Sequence, residues 1–341
     1  MGEPGSRPTI YDVARVAGVS KSLVSLVLQG SQQVSSERRR AVVEAIEQLG
    51  YRPSRAAATL AGSRSRSVGV VIDDYSNLWF VGLLKGLRTV LDPLGYTVLV
   101  SDRHQAGPLR QDAVNSFLAS QVDGVVIAAE LGVEGEALPV PAVVAGTRLH
   151  SVAGADRIAT DNALGVRLAV THLVELGHRR IGHVTGVGGS ARGRRNAYLA
   201  MMRELNEPAR MAGLGELTNE AGGYRGAVKL LERYPEITAL LAANDTMALG
   251  ALAALREAGR SVPHDVSLVG YDNSPLAKAR FLALTTVDVH NARVGRACAQ
   301  ALLRRMRDPE ASPQVLTLPP TLVVRSSSAP LSPAPLHSPW H

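Results

Sequence analysis

The amino-acid sequence predicts an α/β protein with a helical head: an N-terminal helix-turn-helix domain, then a two-lobed effector domain built on parallel sheets. Three observations carry this. The positive charge gathers at one end, since residues 1–66 hold ten Lys or Arg against five Asp or Glu while the whole chain is +7. Two short apolar-periodic segments in that basic end are separated by a glycine turn. From Val68 onward, short β-branched runs alternate with longer stretches of helical periodicity.

Composition excludes several classes. With 341 residues and 45% hydrophobic residues there is ample chain for more than one core, and only 4% are aromatic. The single cysteine, Cys298, excludes an internal disulfide framework and any CxxC metal or redox site. Met1–Ile10 lacks the apolar run of a secretory leader, and no stretch of membrane-spanning length is free of charge, so a soluble cytoplasmic protein is expected. A basic head on a near-neutral body is the electrostatic footprint of a nucleic-acid-binding domain, although charge alone fits a solvated basic face equally well.

In the head, Thr9 and Asp12 have the spacing of a capping box, and Ile10, Val13, Ala14 and Ala17 follow at helical intervals. Gly18 supplies a turn and Ser20 a cap for a second helix to about Leu28, with Val24, Val27 and Leu28 inward. A third helix fits Ser36–Leu49, capped by Ser35 or Ser36 and stopped by Gly50. Two short helices around such a turn form the motif whose second helix lies in the DNA major groove. Arg55–Ala61 is a helix candidate too short to stand alone, between Pro53 and the linker Gly62–Ser67.

In the body, Val68–Asp73, Thr97–Ser101, Gly124–Ala128 and Ala142–Ala145 read as buried strands, with helices over Phe80–Leu91 and Leu109–Gln121. The alternation then repeats. Helices are expected over Gly165–Leu176, Arg194–Leu205, Tyr224–Arg233 and Thr246–Ala258, with strands at Ile181–Thr185, Thr238–Ala242 and Val266–Gly270. A late helix over Val294–Met306 precedes strands at Val315–Leu318 and Thr321–Val324, and the Ser/Pro-rich stretch 326–341 reads as a disordered tail. Parallel sheets bind ligands outside the carboxyl ends of their strands, so polar residues there are the candidates for a site.

Five ordered motifs make the head specific: Thr9-Ile10-Tyr11-Asp12-Val13-Ala14, Ala17-Gly18-Val19-Ser20, Val24-Ser25, Gly50-Tyr51-Arg52-Pro53 and Leu60-Ala61-Gly62. They closely resemble the lactose/galactose-repressor family of bacterial transcription regulators, and family-like segments recur in the body. The resemblance implies domains at 1–53 (DNA-binding), 54–67 (hinge helix and linker) and 68–325 (periplasmic-binding-protein-like, effector-binding and dimerising). It implies that the last segments cross back, leaving each lobe discontinuous in sequence. It places Lys21, Ser22 and Leu26 at base-reading positions, where relatives usually carry Arg in place of Leu26. It makes Thr9, Ser20, Ser25, Gln29, Ser35 and Tyr51 phosphate contacts, and Arg55, Ala57 and Leu60 part of a hinge helix whose Leu60 would wedge into the minor groove.

Carried over in the same way, Arg194, Asn244 and Asp272 are effector-binding residues, Asp161 a polar contact, and Trp79 and Phe80 pocket aromatics. Read from the residues alone, Asp272 could close a turn, Asn244 could cap a helix and the aromatics could belong to the core. Thr160, Thr218 and Asn291 fall where sugar-responsive relatives carry rings. Gly146 stands where some relatives have an Asp, Val289 at a frequent Gln, and Ala197 at a usual Gly. The implied function is a sequence-specific DNA-binding transcriptional repressor, a homodimer on a pseudo-palindromic double-stranded operator, controlled by a small-molecule effector, a sugar first among candidates.

No cofactor, metal or catalytic set is expected. Gly186-Val187-Gly188 starts a dinucleotide fingerprint that fails at Ala191, and no phosphate loop, HExxH or nucleophile elbow occurs. Two other classes stay open from the residues: a small-molecule-binding protein or enzyme whose basic head is an appendage, and an architectural DNA binder without operator preference.

Overall fold

The computed structural model describes residues 8–28, 31, 33–51, 65–102, 113–131 and 137–331. It divides into a unit ending at Ser65 and a unit beginning at Arg66.

The described residues of the first unit form three helices, α1 (Ile10–Val16), α2 (Lys21–Leu28) and α3 (Ser36–Leu49). The capping box is formed: Asp12 N–H donates to Thr9 Oγ1 while Thr9 N–H donates to the Asp12 carboxylate. Gly18, at φ 65°, reverses the chain between α1 and α2, a conformation glycine reaches without a Cβ penalty. Val13, Val24, Val42 and Ala45 meet in one small core. Gly50 ends α3 in the left-handed region, and Tyr51 N–H returns to Ile46 O.

The second unit has two lobes. In order of sequence, the first contains β1 (Ser67–Ile72), α4 (Trp79–Leu91), β2 (Thr97–Asp102), α5 (Ala113–Ala119), β3 (Gly124–Ala128), β4 (Ala142–Ala145) and β5 (Asp156–Thr160). The second contains α6 (Asn162–Glu175), β6 (Ile181–Val184), α7 (Gly189–Glu204), β7 (Arg210–Ala212), α8 (Glu220–Arg233), β8 (Ala239–Ala242), α9 (Asp245–Glu257), β9 (Ser267–Tyr271) and β10 (Thr285–Asp288). The chain then returns to the first lobe through α10 (Asn291–Arg307) and β11 (Val315–Leu318), and to the second through β12 (Thr321–Val323). Each lobe holds one six-stranded sheet, β11-β5-β4-β3-β1-β2 and β12-β10-β9-β8-β6-β7. Among the described residues all strand pairings are parallel except β10 with β12. Discontinuous lobes were the expectation, and three crossings realise it.

In the first lobe α4 and α10 pack on one face of the sheet through Leu83, Leu87, Val294, Cys298 and Leu302. Gly86 and Gly295 let these helices touch backbone to backbone. A Cβ on Gly86 would lie 2.1 Å from Ala292 O, and one on Gly295 would lie 2.1 Å from Leu83 O.

Three strands escape the hydropathy reading. β5 opens on Asp156, which is fully buried between Arg304 and Arg305 and also accepts Gln314 N–H. β7 is only three residues long. β10 opens on Thr285 and Thr286, whose buried hydroxyls donate to Arg325 O and Asp245. Satisfied polar groups are buried here where a periodicity search expects apolar ones.

The expected tail needs correction. Residues 326–331 lie on the second lobe: Ser327 Oγ donates to Leu268 O, Ala329 O faces His178 Nε2 at 3.0 Å, and Leu331 N–H reaches Leu176 O. The Ser327 hydroxyl binds strand β9, and the backbone of Ala329 and Leu331 meets the turn after α6. Residues 332–341 lie outside the described residues. At the other boundary, Ser67 of the expected linker opens β1.

Candidate functional site

The carboxyl ends of both parallel sheets face one cleft, enclosing about 690 Å³ with its open mouth included, where ligands of parallel sheets bind. From the first lobe, Asp73 follows β1, Glu130 follows β3, and Gly146–Arg148 follow β4. From the second, Val187–Ser190 follow β6, Ala243 and Asn244 follow β8, and Asp272 follows β9.

Arg194, on α7, is the hub. Its Nε donates to Asn162 Oδ1 at 3.1 Å, Nη1 to Ala243 O, and Nη2 to Asp272 Oδ1 at 3.1 Å. The guanidinium also lies 3.7 Å from the centre of the Tyr271 ring. Burial drives the Asp272 carboxyl above the usual carboxylate range, and the Arg194 charge opposes that rise. Asp272 sits at φ 105°, a strained backbone for an L residue at the end of β9.

A second guanidinium serves the first lobe. Arg148 donates twice to Ala145 O and once to Asp73 Oδ2, and stands 5.9 Å from the Trp79 ring centre. A Cβ on Gly146 would lie 3.1 Å from Arg148 Nη2. The glycine, at φ 81°, therefore makes room for the arginine.

Polar contacts bridge the lobes at one side of the cleft. Glu130 accepts Leu149 N–H of its own lobe at 2.8 Å and Gly189 N–H, the start of α7, at 2.7 Å. Asn162 Nδ2 donates to Thr147 Oγ1, and Ser190 Oγ to Thr147 O. A carboxylate at the first turn of α7 also meets the positive end of the helix dipole.

Of the six effector-site residues expected from sequence, the cleft brings together Trp79, Phe80, Arg194, Asn244 and Asp272. Asn244 does two things: its Oδ1 caps α9 through Met247 N–H, and its Nδ2 donates to Thr218 O. Phe80 is also a core residue, at 4% exposure, meeting Trp79 edge to face. Asp161 is a correction. Its carboxylate accepts Leu164 N–H as the cap of α6, and the cleft is lined instead by its neighbours Thr160 and Asn162. Thr218 and Val289 line the cleft as well, whereas Asn291 does not, and Ala197 packs against the core. Sequence reasoning missed Asp73, Glu130, Arg148 and Asn162. Each directly follows a strand end or sits within three residues of one, and that rule could have found Asp73, Glu130 and Arg148, whereas Asn162 follows β5, a strand the hydropathy reading missed.

In the helical unit, Lys21, Ser22 and Leu26 are exposed on α2; Leu26 keeps 38% of its surface, so it is not a buried packing residue. Lys21 Nζ lies 4.9 Å from the Tyr11 ring centre. Ser20 Oγ accepts Leu23 N–H at the start of α2. Thr9 is exposed, its hydroxyl held by Asp12, and Ser25 is half-buried. Ser35 is exposed at the N-cap of α3 and makes no capping bond there. Tyr51, expected at a phosphate, is 7% exposed in the three-helix core, so little of it faces solvent. Gln29, Arg55, Ala57 and Leu60 lie outside the described residues.

Comparison with known proteins decides the family. Residues 9–54 match the model for bacterial regulatory proteins of the lacI family, and residues 170–328 that for a periplasmic binding protein-like domain. The HTH-type transcriptional regulator CelR of Thermobifida fusca is 35% identical, covering 94% of this chain and 98% of that protein.

The chain belongs to the LacI family of bacterial regulatory proteins.

Among solved structures, the LacI-family likeness extends to a CelR–cellobiose complex (30% identity, TM-score 0.67, covering 94% of this chain and 100% of that one). It extends also to the lac repressor dimer bound to operator and the anti-inducer ONPF (28% identity, TM-score 0.78, covering 95% and 100%). As a LacI-family member the chain is a helix-turn-helix transcriptional regulator and not an enzyme. Among the described residues no helix is long and apolar enough to cross a membrane, and no three His, Cys, Asp or Glu side chains are placed to hold a metal ion.

Proposed function

We propose that this protein is a cytoplasmic, homodimeric repressor whose operator affinity is set by a neutral sugar in the cleft. One observation carries the effector class. Every charged side chain lining the cleft already has a protein partner: Arg194 with Asp272, Arg148 with Asp73, and Glu130 with two backbone amides. An added anion would find neither guanidinium unpaired and would meet the charge of Glu130. A neutral polyhydroxyl molecule exchanges hydrogen bonds with the N–H groups and carboxylate oxygens left over, and Trp79 covers its apolar side. The likeness to CelR makes cellobiose the first sugar to try.

The exposed start of α2 enters the major groove of each half-site, and a dimer places two such helices one helical turn apart. A sugar that joins the lobes through Arg194 and Glu130 alters the angle between them, and with it the spacing of the two 54–67 segments. The coupling between sugar and DNA is reciprocal and of order 1–3 kcal/mol.

The test is a gel-shift assay of the full chain with genomic fragments at moderate salt, alone and with cellobiose, ribose and galactose in turn. A sequence-selective shift altered by one sugar is the expected result. Binding without preference among fragments would overturn the repressor reading, and a selective shift indifferent to every neutral sugar would overturn the effector class.

A further inference from the structure

The turn between β6 and α7, Gly186-Val187-Gly188-Gly189, begins like a dinucleotide loop but does not complete that motif. Its last two glycines face the first lobe instead. A Cβ on Gly189 would lie 2.4 Å from Arg148 C and 2.7 Å from Thr147 O, so the start of α7 meets the 147–148 backbone directly. A Cβ on Gly188, at φ 94°, would lie 3.4 Å from Glu130 Oε1. At Gly189 a side chain of any size would hold the lobes apart.

Glu130 occupies the contact that these glycines open. Its Oε1 accepts Gly189 N–H of the second lobe at 2.7 Å, and its Oε2 accepts Leu149 N–H of the first at 2.8 Å. Glu130 N–H donates in turn to Asp73 Oδ1 at 2.9 Å, and Asp73 Oδ2 pairs with Arg148 at 3.3 Å. The carboxylate is therefore anchored in the first lobe while it meets the positive end of a 16-residue helix in the second. Hydrogen bonds to an ionised acceptor are roughly twice as strong as neutral ones. Two neutral bonds, Asn162 Nδ2 to Thr147 Oγ1 and Ser190 Oγ to Thr147 O, lie alongside. Every atom of this bridge belongs to the chain, so no effector is needed to complete it.

We propose that Glu130, seated on Gly189, is a built-in latch that closes the two lobes independently of the effector and sets how tightly they grip it. An effector held across the cleft favours closed lobes, so its apparent affinity is the intrinsic affinity scaled by the closed fraction. The latch raises that fraction beforehand. By linkage it also moves the sugar-free protein part of the way toward the state that sugar stabilises. This second consequence rests on the sugar reading above, whereas closure by Glu130 does not.

Trp79 reports closure, because it packs against the cores of both lobes and the chain has one other tryptophan, Trp340. The experiment measures acrylamide quenching of Trp79 fluorescence, without sugar, in the full chain carrying Trp340→Phe. Glu130→Ala and Gly189→Ala are made in the same background. Both should be quenched more readily than the parent: one loses the carboxylate, the other sets a methyl group against the Arg148 backbone. Glu130→Gln, which loses the charge and one acceptor oxygen, should fall between. Calorimetry should show Glu130→Ala binding sugar about threefold or more weakly. In gel shifts its sugar-free operator affinity should move opposite to the change that sugar causes, a sign that holds for induction and co-repression alike.

The latch is overturned if Glu130→Ala and Glu130→Gln, folded by their melting curves, leave Trp79 quenching at the parent level, whatever Gly189→Ala does. Operator affinity moving in the same direction as sugar moves it would overturn the latch as well. Should no sugar alter operator binding, the sugar reading falls and the quenching measurement still decides the latch.

Discussion

Arg194 Nη2 lies 3.1 Å from Asp272 Oδ1, and both side chains are at least 90% buried at the meeting point of β9 and α7. This pair is at once a structural element and the floor of the cleft. The same guanidinium ties together Asn162 at the first lobe crossing, Ala243 at the end of β8 and the face of Tyr271.

Removing one partner should therefore register twice. Arg194→Ala leaves Asp272 buried without a counter-charge, a change that typically costs about 3–5 kcal/mol. The sugar response in gel shifts should vanish while operator binding persists. Urea denaturation should show the double variant Arg194→Ala/Asp272→Ala more stable than Arg194→Ala alone. An unchanged dose–response to sugar in Arg194→Ala would exclude the residue from the effector site.

The exposed Leu26 and the hinge candidate Leu60 lead to separable DNA effects. Leu26→Arg should change which base is preferred at one half-site position, by about 1–3 kcal/mol of discrimination, since a bidentate donor replaces a methyl contact. Leu60→Ser should weaken selective binding and leave sugar affinity intact. Competition gel shifts measure the first, and titration calorimetry beside gel shifts the second. If sugar affinity fell together with DNA binding in Leu60→Ser, hinge and pocket would not be independent.

His183 gives a pH dependence with a defined sign. It is fully buried, its Nδ1 faces Leu241 O at 2.9 Å, its Nε2 has no partner, and burial pushes its pKa down to about 4. The folded value lies below the ordinary 6.5, so the stabilisation is complete above pH 6.5 and is lost as pH falls toward 4. The loss is at most about 1.4 kcal/mol per pH unit. Buried Asp245, raised to about 6, acts in the opposite sense over part of that range. The informative quantity is therefore the difference between the parent and His183→Gln. Urea midpoints followed from pH 7 to 4.5 should fall less steeply in the variant, and parallel slopes would contradict the assignment.

Gly86→Ala tests the close packing of α4 on α10. The added methyl would meet Ala292 O at 2.1 Å and Arg296 N at 2.9 Å, both backbone atoms, so the helices must part. Overpacking of this kind costs about 1–3 kcal/mol, against a helix-propensity gain of up to about 1 kcal/mol. A lower urea midpoint is expected, and a higher one would show that the two helices yield easily.

Much of the fold was legible because its strands are apolar and its helices periodic. Gly124–Ala128 and Ala142–Ala145 are bounded as the hydropathy reading placed them. β5 and β10 were not legible, since Asp156, Thr285 and Thr286 are polar groups whose partners lie far along the chain. The start of α7 was placed five residues late, because Gly188-Gly189-Ser190 reads locally as a loop. In the structure Glu130, from the other lobe, accepts the Gly189 N–H and meets the helix dipole.

The amino-acid sequence by itself determined the helical head and the alternating body, because local periodicity and short motifs are written in neighbouring positions; the family resemblance, not periodicity, pointed to the five expected residues that line the cleft. Only the tertiary structure decided that Asp161 caps a helix, that Arg148 fills the space beside Gly146, and that residues 326–331 lie along the second lobe. Those outcomes depend on which distant atoms a polar group meets. A carboxylate, a guanidinium or a serine hydroxyl has the same local signature whichever partner folding brings to it.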